Sequence, residues 1–144
     1  MAEAVLRQRF DDVGLGDDVT VDSAGTGAWH VGEDADHRAL ATLREAGYDL
    51  SHAARRFEPE WLERSHLILA MDRANFEALL ELAERHDVAP EHVHLLRSFD
   101  PTADPDAEVP DPYYGGIDGF AQVLEMIERA ADGVVAHVRA ELSA

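Results

Sequence analysis

Helical segments that alternate with short apolar runs predict an α/β domain built on a parallel sheet. Three observations carry this. HLILAM (66–71) is a continuous apolar run, short enough for a strand buried on both faces. DRANFEALLELAERH (72–86) follows at once with Phe76, Leu79, Leu80 and Ala83 on one helical face. HVHLLRSF (92–99) then supplies the next strand, which completes a strand–helix–strand unit.

The remaining elements fit around that unit. In MAEAVLRQRF (1–10), Ala2, Val5, Leu6 and Phe10 recur at helical spacing, with no Ser, Thr, Asp or Asn ahead of them to cap the helix. VGLGDD (13–18) is a turn-rich connection, and VTVDS (19–23) alternates as a strand does. SAGTGAWHVG (23–32) is a glycine-containing loop. A helix follows, with Asp34 or Asp36 as cap, Ala39, Leu40 and Leu43 as apolar face, and Gly47 at its C-terminal stop. SHAARRF (51–57) is a loop or short extended piece, and EPEWLERS (58–65) is a short helix with Pro59 near its first turn. Residues 99–116 form a long loop with four prolines. From Ile117 an apolar helical stripe runs through Phe120, Val123, Leu124, Ile127, Ala131, Val134, Val135 and Val138 to Leu142. Gly133 is expected to loosen or bend that helix. Three strands are few for such a sheet, so the layout is that of a doubly wound domain with a strand missing.

At 144 residues the chain is the size of one domain, 1–144, without repeats, linkers or low-complexity tracts. No apolar run reaches the roughly 18 residues of a membrane span, and no signal-peptide layout opens the chain. A cytoplasmic location is the default expectation. Thirty acidic residues face twelve basic ones, all Arg, for a net charge of −18. Such a surface argues against non-specific binding to nucleic acid or to an anionic membrane. There is no cysteine, which excludes disulfides, thiolate metal sites and a cysteine nucleophile within this sequence.

EVPDPYYGG (108–116) is the most informative stretch. Pro112 restricts Asp111 to extended backbone and Pro110 stiffens its approach. A carboxyl on a stiffened loop beside Tyr113 and Tyr114 suits a general acid next to a flat substrate, or else a proline-rich turn with a tyrosine anchor. Ser23 ends the VTVDS run, His52 lies in SHAAR, and Asp72 follows the 66–71 strand. Strand C-termini in an open parallel sheet share one edge, so these residues and Asp111 are candidates for a single rim. His86, His92 and His94 with Asp87 and Glu91 match no known metal-ligand spacing. Asp104, Asp106 and Glu108 read as solvated acids on a mobile loop. SAGTG lacks the full spacing of a nucleotide-binding glycine loop.

Taken together, DSAGTGAWHVG, SHAAR, the strand entering MDRAN, LLRSFDP and VPDPYYGG before a long final helix resemble the low-molecular-weight protein tyrosine phosphatases, from Met1 to about Arg139. The resemblance implies a three-layer sandwich with a four-stranded parallel sheet. It also implies that this sequence starts one residue after a Cys-x5-Arg phosphate loop, so that the first, inner strand is absent and two strands lack their shared partner. By the same resemblance Asp111 is the general acid, Trp29, Tyr113 and Tyr114 wall the cleft, Ser23 and His52 brace the phosphate loop, and Arg55 belongs to the scaffold. The implied activity is hydrolysis of phosphotyrosine proteins or small aryl phosphates through a cysteinyl-phosphate, with no cofactor and no metal. This sequence, lacking the nucleophile, is expected to be inactive as it stands. The alternative is a non-catalytic relative that binds a phosphotyrosine or protein partner. Arsenate reductases share the fold but need several cysteines.

Overall fold

The computed structural model describes residues 2–24, 37–48, 57–109 and 116–143. In chain order these form α1 (Ala2–Asp12), α2 (His37–Glu45), α3 (Glu60–Arg64), β1 (Ile68–Ala70), α4 (Arg73–Arg85), β2 (Val93–Leu95), a 3-10 turn (Leu96–Phe99) and α5 (Gly116–Leu142). β1 and β2 pair in parallel, with Ile68 opposite Val93 and Ala70 opposite Leu95. The connection between them is α4, as a parallel pair requires.

The period-2 geometry of a strand sends alternate side chains to opposite faces. Ile68 and Ala70 join Val93, Leu95, Leu62, Leu79 and Ala83 on one face, under α3 and α4. Leu67, Leu69 and Met71 pack on the other face, against a larger core from α1, α2 and α5 that includes Val5, Phe10, Leu43, Leu96, Ile127 and Val134. Helices therefore cover both faces of a small parallel sheet, the α/β sandwich expected from the sequence.

One expected strand is not there. Residues 19–24 carry no strand ladder. A strand exists only by pairing, and the backbone bond this stretch makes among the described residues is a turn contact, from the Val19 N–H to the Leu15 carbonyl at 3.1 Å. Side chains of α1 hold it instead: Arg7 donates from Nε and Nη2 to the Val21 carbonyl at 3.1 and 2.9 Å, and Val19 and Val21 pack against the larger core.

Helix ends follow local chemistry. Gly14 and Gly47 take positive φ after α1 and α2, and Asp87 takes it after α4. At each end the next N–H reaches back five residues to a helix carbonyl: Leu15 to Phe10, Tyr48 to Leu43 and Val88 to Ala83. This is the glycine-type stop expected at Gly47. Asp72 caps α4 by accepting from the Asn75 N–H at 2.7 Å.

Gly133 has a different role from the one expected. α5 is continuous through it, and a Cβ at this position would overlap the Phe99 carbonyl oxygen. The glycine lets the helix press against the backbone of the 3-10 turn. Leu142, by contrast, ends the apolar stripe out in solvent, 54% exposed.

A polar clasp ties α1 and the end of α2 to α5. The Tyr48 hydroxyl donates to Glu128 at 2.7 Å, and Arg9 pairs with Glu128 at 3.4 Å and Asp132 at 3.1 Å. Burial and the bond to Glu128 push the Tyr48 phenol above its ordinary range, against the pull of Arg9.

Candidate active site

The strand C-termini define the rim where an open parallel sheet places its ligands. Three described stretches reach it: the β1–α4 junction at Met71 and Asp72, the 3-10 turn after β2, and the chain from Asp100 to Val109 that leads to Asp111. Asp111, Tyr113, Tyr114, Trp29, His52 and Arg55 themselves lie outside the described residues. Of the candidate site residues, Ser23 is within them. Its hydroxyl donates to Glu3 Oε1 at 2.9 Å, in the first turn of α1. The Glu3 carboxylate is itself almost fully buried and lies 3.6 Å from Arg7 Nη1.

The approach to Asp111 is closely tied down. Val109, buried, donates its N–H to the Met71 carbonyl at 2.7 Å, which fastens the chain to the end of β1. Arg97 Nη1 donates to the Glu108 carbonyl at 2.9 Å. The Glu108 carboxylate accepts from the Arg73 N–H, the first amide of α4, at 2.9 Å. Arg73 Nη2 pairs with Asp106 at 3.4 Å. Glu108 is thus not merely a solvated loop acid: it caps a helix whose first amide precedes it by 35 residues.

Asp100 anchors the other end of this segment. Its buried carboxylate accepts from the Thr102 hydroxyl at 2.7 Å, the Thr102 N–H at 2.9 Å and Arg129 Nε at 3.4 Å. The Thr102 hydroxyl lowers its pKa most, burial opposes, and the Thr102 amide and Arg129 add to the lowering. The sequence reading missed Glu3, Asp100 and Glu108. A signal existed for Asp100, since Asp-Pro-Thr offers the carboxylate an amide two residues on, as in an Asx-turn. For Glu108 there was none.

The histidines near β2 have structural partners. His92 Nε2 lies 2.6 Å from the Leu62 carbonyl, and the His94 ring packs edge-on against Phe99. Among the described residues no three His, Asp or Glu side chains are placed to hold a metal ion. A cavity of about 440 Å³ lies between Phe57–Pro59 and the middle and end of α4 and, among the described residues, is lined by neither Ser23 nor Asp72. The rim chemistry is a better guide to the site than that volume.

The family model for low molecular weight phosphotyrosine protein phosphatases matches residues 1–144. The chain belongs to this family. It is 52% identical over 143 residues to a low molecular weight protein-tyrosine-phosphatase of Streptomyces coelicolor, covering 99% of this chain and 87% of that one. It is 43% identical over 135 residues to low molecular weight protein-tyrosine phosphatase A of Mycobacterium tuberculosis, covering 93% of this chain and 80% of the relative. The crystal structure of a protein tyrosine phosphatase from Entamoeba histolytica superposes with a TM-score of 0.89 at 30% identity, over 97% of this chain and 88% of that one. Among the described residues of this family member, no helix is long and apolar enough to cross a membrane.

Proposed function

We propose that this chain carries the acid and the cleft walls of a phosphotyrosine hydrolase. The observation that carries the reading is the family match over the whole chain together with VPDPYYGG at 109–116. Asp111 is the general acid. A phenol has a pKa of about 10, so phenolate is a poor leaving group at neutral pH. As the phosphorus–oxygen bond breaks, the Asp111 proton passes to the departing oxygen. Tyr113 and Tyr114 wall one side of the cleft and Trp29 the other, so a phosphotyrosine ring fits where a shorter phosphoserine does not reach. Ser23 and His52 act as hydrogen-bonding supports of the phosphate loop. Substrates are phosphotyrosine proteins or small aryl phosphates, in the cytoplasm.

The nucleophile of this chemistry is a thiolate, and the 144 residues contain no cysteine. A cysteinyl-phosphate therefore does not form on this polypeptide alone. The test is to purify the protein from its own cells, map its N-terminal peptides, and assay it on an aryl phosphate beside the recombinant 144-residue polypeptide. The reading expects a heavier native protein, with a cysteine and an arginine in an added peptide, that turns over substrate while the recombinant does not. A native mass of 15.9 kDa without turnover overturns it and favours the alternative, a non-catalytic protein that binds a phosphotyrosine segment.

A further inference from the structure

We infer that Glu108 and Arg97 are positioning residues for the proposed acid: they hold the chain three residues before Asp111 against the rim and so set where the acid's proton is delivered. The inference rests on the phosphatase reading for the proton's destination, but its structural half stands on described contacts alone.

Glu108 makes two independent contacts. Its side chain accepts from the first amide of α4, and its carbonyl accepts from Arg97 Nη1, both at 2.9 Å. An orphan amide at a helix N-terminus favours a carboxylate through both the hydrogen bond and the helix dipole. Asp72 already serves the Asn75 amide in the same turn, so Glu108 takes a donor that α4's own cap leaves unmet. The carbonyl contact comes from a different element, the 3-10 turn that follows β2. The next residue, Val109, then bonds the Met71 carbonyl. Three elements thus meet on two consecutive residues: β1, the start of α4, and the turn after β2. Arg97 Nε is buried and, among the described residues, has no partner of its own. A buried unpaired N–H carries a desolvation penalty. Arg97 thus bears that cost where its Nη1 grips the Glu108 carbonyl. Such precision matters for a proton donor, because a displacement of about 1 Å costs on the order of a hundredfold in rate.

The carboxylate at 108 acts only as an acceptor, so Glu108→Gln keeps the bond to the Arg73 amide and Glu108→Ala loses it. The first test is amide hydrogen exchange on the recombinant full chain. Glu108→Ala should speed exchange at Val109 by about tenfold, the scale of a lost cap, while amides of Ala131 and Val134 in α5 stay at their wild-type rates. Glu108→Gln should restore Val109, and Arg97→Ala should repeat the Glu108→Ala effect. Unchanged Val109 exchange in Glu108→Ala, or equal acceleration throughout, overturns the latch. The second test is kinetic, on the form that turns over aryl phosphates. Glu108→Ala should lower kcat about tenfold to a hundredfold on phenyl phosphate and leave 2,4-dinitrophenyl phosphate, whose leaving group needs little protonation, almost unchanged. Equal losses on both overturn the positioning role. If no form turns over either substrate, the phosphatase reading fails, and the exchange result still decides whether the latch exists.

Discussion

Two stretches of chain, residues 19–24 and residues 97–109, are held by different means. Residues 19–24 carry no strand ladder and are fastened in part by side chains of α1, with Arg7 on the Val21 carbonyl and Glu3 on Ser23. Residues 97–109 are fastened from several sides: by backbone to β1 at Val109, by Glu108 to α4, and by Asp100 and the Phe99 carbonyl to α5. The second mode combines a backbone bond, a buried carboxylate and a close helix approach, so it does not rest on any one side chain. The stretch that leads to the proposed acid is therefore the over-determined one.

The largest expected break in this contrast comes from Gly133→Ala. Alanine favours a helix by about 1 kcal/mol over glycine, so a solvent-side glycine would gain from the change. Here the added Cβ meets the Phe99 backbone, and backbone cannot rotate away as a side chain tip does. Overpacking of this kind costs about 1–3 kcal/mol, occasionally more. Because the overlap is with backbone, the cost falls at the upper end of that range, and after the helix gain urea denaturation should show a net loss of about 2 kcal/mol, with the 97–109 segment loosened. A stabilised variant would mean that the turn moves freely and is no anchor.

Asp100→Ala comes next. It strips a buried carboxylate from two Thr102 donors and Arg129, and charged hydrogen bonds of this sort are worth about 1.5–3 kcal/mol. Arg129 is half-exposed and contributes least. The effect carries a pH signature. Because the folded-state pKa of Asp100 is lowered, its stabilisation is complete above the ordinary carboxylate value of about 3.9 and fades as pH falls through the lowered value. The stability gap between wild type and Asp100→Ala should be full at pH 7 and narrow below about pH 4. A gap that is flat with pH would show that the carboxylate's charge is not what anchors the loop.

Arg7→Ala should have the smallest global effect, about 1 kcal/mol or less, since the side chain is half-exposed and solvent screens its pairs. Its local effect sharpens the comparison. Amides of residues 21–23 should exchange faster, while Val109 keeps its wild-type rate. Equal loosening at both stretches would mean that they are one cooperative unit.

What could be read from the sequence, and what could not, follows the range of the forces involved. β1, α4 and β2 were legible because apolar runs and helical spacing are local signals, as was the Gly47 stop. The 19–23 stretch looked like a strand because Val19 and Val21 alternate, but alternation reports a buried face and not a partner. Gly133 looked like a weak point because propensity knows nothing of the Phe99 carbonyl across the core. At the site, DPYYG and its neighbours were recognisable by type and order. The contacts that hold the approach to Asp111 were not, since Arg73 and Glu108 are 35 positions apart and an exposed acid on a proline-rich loop resembles any other. Glu3 was hidden for a similar reason: it sits among apolar neighbours in α1 and shows its role only once Ser23 is folded beside it.

The measurement that tests the central claim most directly is the leaving-group dependence of Asp111→Asn in the form of the protein that hydrolyses aryl phosphates. Loss of a general acid costs about a hundredfold to ten-thousandfold where the leaving oxygen needs a proton. The expected result is a fall of that size in kcat on phenyl phosphate, with little change on 2,4-dinitrophenyl phosphate. An Asp111→Asn enzyme that hydrolyses both substrates at the wild-type rate, or loses equally on both, would contradict the assignment of Asp111 as the acid.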